Sequence, residues 1–405
     1  MKKIVLITTG QPATNPRIVK EADALQNAGY EVIVLYCFFI SWALDKEKVL
    51  LKQVSWKYQM VGGSPGDKKK CYFFTRLRSK LAGILTAFCG PGFLLAERIQ
   101  ARAYDELLNE AKKIKADWYI GHNLGALAVA VNAAVFHGAK AGFDFEDHYR
   151  GENDPSEIKT LKRIAFLENK YVSSLSYFSA ASEMIIAATK KNHPTFKGDI
   201  VTLLNCFPLQ QQPALKEKGA NDHTLNLFWF SQTIGTNRGL ETLINALKIL
   251  KDPSIHVTLA GRCNDDMERY IKTNAGEIQP NIHFAGIVQP ETLPEFASHF
   301  DVGMAIELDK PVNRDMCLTN KIFTYLLAGN AVILSETSMQ LSFNREYHIG
   351  ESFAVNDEHA LAEKIKGYHH HQKLNEQKQH NYELARTRLN WENESRGLLT
   401  ILDKR

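Results

Sequence analysis

The chain has 405 residues, 44% hydrophobic and 23% charged, with a net charge of +4. That length suggests two or three domains, and the composition is that of an ordinary soluble globular protein with material for sizeable cores. No apolar run approaches ~20 residues, so no spanning helix is expected. The charge is uneven: residues 1–205 hold 28 Lys and Arg against 20 Asp and Glu, and the remainder 21 against 25. A basic front half suggests an anionic partner, such as a membrane surface or an acidic acceptor. Nucleic acid is not expected, because no recognised nucleic-acid module is present.

The start, "MKKIVLITTGQPATNPR", has an apolar run too short for a signal peptide. "KIVLITT" instead reads as a strand buried on both faces. Ile18, Ala22 and Leu25 follow at helical spacing, Gly29 ends that helix, and "EVIVLY" is the next strand. This strand–helix–strand unit implies a parallel sheet. Further strands are expected at 117–122, 139–145, 174–180 and 199–204. A second series is expected at 225–231, 254–261, 281–286, 300–306, 330–335 and 351–355.

Between the two series lies "NCFPLQQQPALKEKGANDH", polar and with two prolines, which reads as a linker. The expected architecture is therefore α/β, two Rossmann-like doubly wound domains facing a central cleft. Ligands bind such sheets at the carboxyl ends of the strands, so the cleft is the expected active site. The stretch from Lys68 to about Leu108 breaks the rhythm. It carries Lys68, Lys69, Lys70, Arg76, Arg78 and Lys80, with no acid before Glu97 and an apolar stripe of Phe73, Phe74, Leu77, Leu81, Ile84 and Leu85. A basic amphipathic helix can lie on an anionic membrane face; the same pattern also suits a helix packed on its domain with solvated lysines.

The six cysteines are scattered without a CxxC pair, which argues against zinc or a disulfide framework and for a reducing compartment. The triplet His369–His371 reads as a solvated helix face rather than a metal site. Arg238 follows a strand in a loop containing Gly and Asn, where a guanidinium can clamp phosphate oxygens or cap the loop. Thr319 or Asn320 can N-cap the helix "KIFTYLLA", whose first N–H groups and dipole suit an anion, with Lys321 adding charge. Gly10 ends the first strand where backbone can approach a ligand, although no GxGxxG follows. His122 and Asn123 end another strand. After a third come Asp144, Glu146, Asp147, His148 and Glu152, able to orient hydroxyls, serve as base, or simply start a helix.

These segments together resemble GT-B-fold glycosyltransferases, specifically glycosyltransferase family 4 and its bacterial exopolysaccharide relatives. "NPRIVKEADALQNAGYEVIVL" is similar to that family's first helix and second strand, and "VTLLNCFPL" to the approach to its linker. "WFSQTIGTNRGLETLINAL" occupies the place of its donor-phosphate loop, and "LTNKIFTYLLAGNAVILS" that of its nucleotide-binding helix. The resemblance implies an acceptor-binding domain at 1–205, a linker at 206–223 and a donor-binding domain at 224–387, with a last helix at about 388–405 rejoining the first domain. It implies transfer of a sugar from a UDP- or GDP-linked nucleotide-sugar to a glycan or lipid-linked acceptor, with retention. Neither a cofactor nor an essential metal is implied. The implied location is cytoplasmic and peripheral on the inner membrane face, through residues 68–95.

By position, the resemblance assigns Arg238 to the donor diphosphate, and Gln232 falls where relatives carry a second basic residue. Thr319, Asn320 and Lys321 would sit under the phosphates, and Gly261, Arg262 and Ile287 would frame the base, with Gly10 also on the donor side. Asp144, Glu146 and His148 join Arg238 as catalytic candidates, and Arg17, His122, Asn123 and Asp147 are candidates for the acceptor. Many relatives carry Glu-x7-Glu, but those positions hold Met316 and Thr324 here. Ribose recognition then has to fall elsewhere, with Glu307 and Asp315 as the available acids and Thr324 left at the donor position. Two other classes remain open on the residues: a nucleotide-sugar epimerase of the same architecture, and a non-catalytic nucleotide-sugar-binding protein.

Overall fold

The computed structural model describes residues 2–92 and 94–404, and the chain forms two compact units. The first comprises Met1–Leu203 and Ser395–Arg405, the second Leu204–Glu394. The strands of the first unit are β1 (Lys3–Thr8), β2 (Glu31–Cys37), β3 (Lys57–Val61), β4 (Trp118–His122), β5 (Lys140–Phe145), β6 (Tyr177–Ala180) and β7 (Asp199–Thr202). They form one parallel sheet in the order β3-β2-β1-β4-β5-β6-β7. The second unit has β8 (Leu225–Thr233), β9 (Ile255–Arg262), β10 (Ile282–Gly286), β11 (Val302–Ala305), β12 (Ala331–Ser335) and β13 (Gly350–Phe353). These are also all parallel, ordered β10-β9-β8-β11-β12-β13. The fold is α/β, doubly wound in each unit.

Every expected strand is present; the central ones, such as β1, β4, β11 and β12, are apolar runs buried on both faces. β3 was not foreseen. Its "KYQMV" lies at a sheet edge with its first three residues exposed, so it carries little hydrophobic pattern. Residues 205–223, read as a linker, lie on the second unit. Lys218 there is buried in an ion pair of 2.8 Å with Asp301. Leu398, Ile401 and Leu402 of the last helix, Trp391–Asp403, pack in the first unit's core with Ile4 and Leu6. The six cysteines are free.

The basic segment forms a 21-residue helix, Lys69–Cys89. Tyr72, Thr75 and Ala82 face inward. Arg102 holds this face, donating to Thr75 Oγ1 and to the carbonyls of Gly62, Gly63 and Phe38, with its guanidinium 4.8 Å from the Tyr72 ring. Phe73, Phe74, Leu77, Leu81, Ile84, Leu85 and Phe88 are all exposed, Phe88 by 84%. At 100° per residue these seven fall within an arc of about 120°. Among the described residues no helix is long and apolar enough to cross a membrane.

In the second unit one close approach sets the position of the helix Asn320–Ala328. The ring of Tyr325 lies over Gly303 of β11, where a Cβ would fall 2.1 Å from the ring. The Tyr325 hydroxyl donates to the carbonyl of Phe228 on β8 at 3.0 Å. One buried side chain thus pins the helix across two central strands. Gly303→Ala is expected to destabilise this unit by ~1–3 kcal/mol through overpacking. Denaturant unfolding checks this, and an unchanged midpoint contradicts it.

Candidate functional site

Strand order reverses between β1 and β4 in the first unit and between β8 and β11 in the second. Crossovers leave in opposite directions at such a point and open a crevice beyond the strand ends. The candidate residues gather at these two places.

In the second unit, the chain leaves β8 through Gln232, which is exposed, and turns through two left-handed residues, Asn237 and Gly239. A side chain on Gly239 would strike Ile306 just beyond β11, its Cβ 2.2 Å from Ile306 Cγ2. Arg314 donates to the Asn237 carbonyl at 2.7 Å. These contacts hold the loop against the segment after β11, with Arg238 at its tip. The Arg238 side chain is half-buried and makes no hydrogen bond or ion pair with any described residue. A guanidinium in this state is ready to take an oxyanion.

The helix Asn320–Ala328 starts in the crossover that follows β11, the crossover whose first residue, Ile306, meets the Arg238 loop at Gly239. Thr319 holds the cap position, but its side chain caps nothing, and its buried hydroxyl has no partner among the described residues. The Asn320 amide oxygen accepts from Asn205 instead. Neither residue caps the helix in the expected way, so the Asn320 and Lys321 N–H groups, at the positive end of the dipole, have no side-chain cap, while the Ile322 N–H donates to the Thr319 carbonyl at 3.2 Å. Lys321 does not add free charge to this mouth. It is buried, pairs with Glu307 at 2.5 Å and lies 5.6 Å from the Trp229 ring. Glu307 is fixed in turn through Ser335, which hydrogen-bonds both its N–H and its carbonyl.

Thr324 is fully buried and donates its hydroxyl to the Asn320 carbonyl, so it presents nothing to a ligand. Asp315 accepts from the Ser338 N–H. Gly261 and Arg262 end β9, and a Cβ on Gly261 would lie 2.3 Å from the Ser231 carbonyl oxygen. Ile287, just past β10, is exposed. Arg238, Glu307 and the helix mouth at Thr319–Lys321 flank the β8/β11 switch point. Arg262 and Ile287 lie on the strands to one side of it.

In the first unit, the crevice beyond β1 and β4 holds a charge network. Arg17, on the first turn of the helix Pro16–Asn27, is buried and grips Asp144 with two hydrogen bonds, 2.6 and 2.8 Å, and also donates to the Leu203 carbonyl. Ser179 donates to the same carboxylate. Burial works against the Asp144 charge, yet Arg17 holds its carboxyl below the usual range. His122, fully buried, lies 3.0 Å from Glu146 through Nδ1 and 3.2 Å from Glu21 through Nε2. Burial alone would lower its pKa, but Glu21 and Glu146 overcome this and raise it to about 10. Asn15 donates to Glu146 at 2.6 Å, and Asn123, at φ +67°, accepts from Thr8 at 2.6 Å.

Arg17, His122 and Asp144 are therefore sealed in the scaffold, and an acceptor cannot reach them. Glu146 is the member of the network with a partly exposed carboxylate, and its Oε2 has only a 3.5 Å contact with Asn123. Asp147 and His148 follow it half-buried, and burial lowers the His148 pKa. Gly10, just past β1, donates to Thr8 Oγ1. Glu21, His122 and Asp144 bring three ligand atoms within 4.8 Å, but Arg17 already engages both Asp144 oxygens. Glu21 and Asn15 were missed from sequence. A signal existed for Glu21, since it lies on the same helical stripe as Ile18, Ala22 and Leu25, where a carboxylate needs a partner.

The geometry is that of the GT-B fold, and solved structures share it across nearly the whole chain. HepE of Anabaena, in complex with UDP and glucose, aligns with a TM-score of 0.68 at 15% identity, over 99% of each chain. Sucrose-phosphate synthase of Thermosynechococcus elongatus aligns at 0.69 and 12% identity, over 99% of this chain and 98% of its own. TarM of S. aureus, a mutant in complex with Fondaparinux, alpha-GlcNAc-glycerol and UDP, aligns at 0.68 and 10% identity over the full length of both. No protein-family model matches the sequence, and no curated protein matches it. At these identities the likeness is one of fold.

The His122 geometry has a stability consequence. Its folded pKa is raised from 6.5 to about 10. The imidazolium therefore contributes stability fully below about pH 6.5, and that contribution is lost as pH rises toward 10. Thermal unfolding of the wild type should weaken over this window more steeply than that of His122→Gln. Parallel pH profiles contradict the assignment.

Proposed function

We propose that the protein is a glycosyltransferase moving a sugar from a UDP-linked donor to a hydroxyl of a glycan or lipid-linked acceptor, with retention and without a resident metal. The observation that carries this reading is Arg238, a guanidinium without a partner among the described residues at the β8/β11 switch point, in the same crevice as the start of the helix Asn320–Ala328, which no side chain caps. That pairing suits a diphosphate. Solved structures of this fold that hold UDP or UDP-glucose support UDP as the carrier.

As the bond between the anomeric carbon and the phosphate oxygen breaks, its electron pair passes to the diphosphate. Arg238 and the helix N–H groups would hold that growing charge more strongly than the ground state, which is what accelerates the step. The acceptor oxygen then bonds to the anomeric carbon on the same face, and its proton passes to the departing phosphate oxygen. Glu146, steadied by Asn15 and His122, would orient the acceptor. Glu307, locked by Ser335 and Lys321, is the acid left for the ribose, because Met316 and Thr324 offer none. Loss of the Glu pair favours a second reading, a nucleotide-sugar-binding protein without turnover.

The exposed apolar face of Lys69–Cys89, bordered by Lys69, Arg76 and Lys80, fits an anionic bilayer at the cytoplasmic side. Residues 68–95 were the expected contact; Phe93 among them lies outside the described residues.

Arg238→Ala should lower sugar transfer from the UDP-sugar by about tenfold or more, with an unchanged melting temperature. Near-normal turnover removes the phosphate assignment. Binding of the donor without any transfer supports the second reading, and conversion of donor alone to a new nucleotide-sugar indicates an epimerase. In co-sedimentation, vesicles rich in phosphatidylglycerol should capture the protein and neutral vesicles should not, and Leu77→Glu should release it. Equal capture by both vesicle types contradicts the membrane reading.

A further inference from the structure

A second crevice in the first unit contains a cation with no ion-pair partner among the described residues. It is a pocket of about 270 Å³ beside the network around Glu146. Arg163, on the helix Ile158–Tyr171, lines it half-buried. Its Nε donates to the neutral amide oxygen of Gln100 at 3.1 Å. Its two Nη groups have no hydrogen-bond or ion-pair partner among the described residues. Burial accordingly depresses its pKa, and Glu157 opposes this only by its charge at a distance. A guanidinium taken partly out of water without a carboxylate is costly, unlike Arg17 and Arg78, which each have one.

Tyr149 supplies an independent sign. It lines the same pocket, its residue surface is only 7% exposed, and its buried hydroxyl has no partner among the described residues. Buried hydroxyls ordinarily find one. Leu124 and Gly125, which open the helix Leu124–His137, also line the pocket, and that helix has no side-chain cap. Their N–H groups lie at the positive end of its dipole. Glu152 is the one acid of the lining. The surrounding protein, with Asp147 and Glu146, pushes its carboxyl up to about 7, although the side chain reaches solvent. It makes no ion pair with Arg163 among the described residues.

We propose that this pocket binds an oxyanion, a carboxylate or a phosphate, with Arg163 clamping the charge and the Tyr149 hydroxyl donating to it. Resting on the glycosyltransferase reading, it is the subsite for an acidic group of the acceptor, set by Asn123, which lines the pocket and also touches Glu146. Selection would then favour an acceptor with a uronate or a phosphate near the receiving hydroxyl.

The test uses the full chain saturated with UDP, so that the donor site is filled. Glucuronate, glycerol 1-phosphate and neutral glucose are added separately, and the melting temperature and the affinity by calorimetry are read. One or both anions should raise the melting temperature while glucose does not, and the responding anion tells carboxylate from phosphate. Arg163→Gln should weaken that binding by about tenfold or more, and Tyr149→Phe, which keeps the packed ring, should weaken it less. Each variant should retain the stabilisation by UDP. No shift with either anion, or equal shifts in the wild type and Arg163→Gln, overturns the proposal. If UDP fails to bind while the Arg163-dependent anion response remains, the pocket stands and the donor reading falls.

Discussion

A parallel strand cannot turn straight back on its neighbour, so each strand here leaves its sheet by a crossover that returns along the face. In both units the crossovers diverge at one point, between β1 and β4 and between β8 and β11. The loops there cannot pack on a following hairpin. Their backbone and side chains are satisfied by each other or by a ligand, and the two units resolve this requirement in opposite ways.

In the first unit the crevice beyond β1 and β4 is filled by the protein. Arg17, Asp144, His122, Glu21 and Glu146 alternate in sign, so each buried charge has a counterion. Such a network is worth little as net stability, yet removing one member strands the others. It fixes Glu146, the member that meets solvent. In the second unit the crevice beyond β8 and β11 keeps a cation open. Lys321 and Glu307 neutralise each other, and Arg238 is left over beside an uncapped helix start. That residual positive charge is the physical basis of the donor-phosphate reading.

Much of this was legible in the sequence. Buried parallel strands announce themselves as Val- and Ile-rich runs, and strand-end positions follow from counting along them. Arg238 was visible because its loop, "GTNRG", sits between a strand and a helix. β3 was not visible, because an exposed edge strand has no apolar period. Lys321 was read as a free cation, since its partner Glu307 is fourteen residues away and only the packed Trp229 and Ser335 bring them together. Arg17 and His122 were read as ligand-facing because strand-end position says nothing about burial. Arg163 and Tyr149 meet only in the folded unit, with no spacing that marks them.

The central claim is that the crevice at β8 and β11 receives a nucleoside diphosphate. The most direct measurement is a crystal structure of the protein with UDP bound. The account predicts the diphosphate within hydrogen-bond distance of the Arg238 guanidinium and of the first N–H groups of the helix Asn320–Ala328. A diphosphate bound elsewhere, with Arg238 still unpaired, contradicts it.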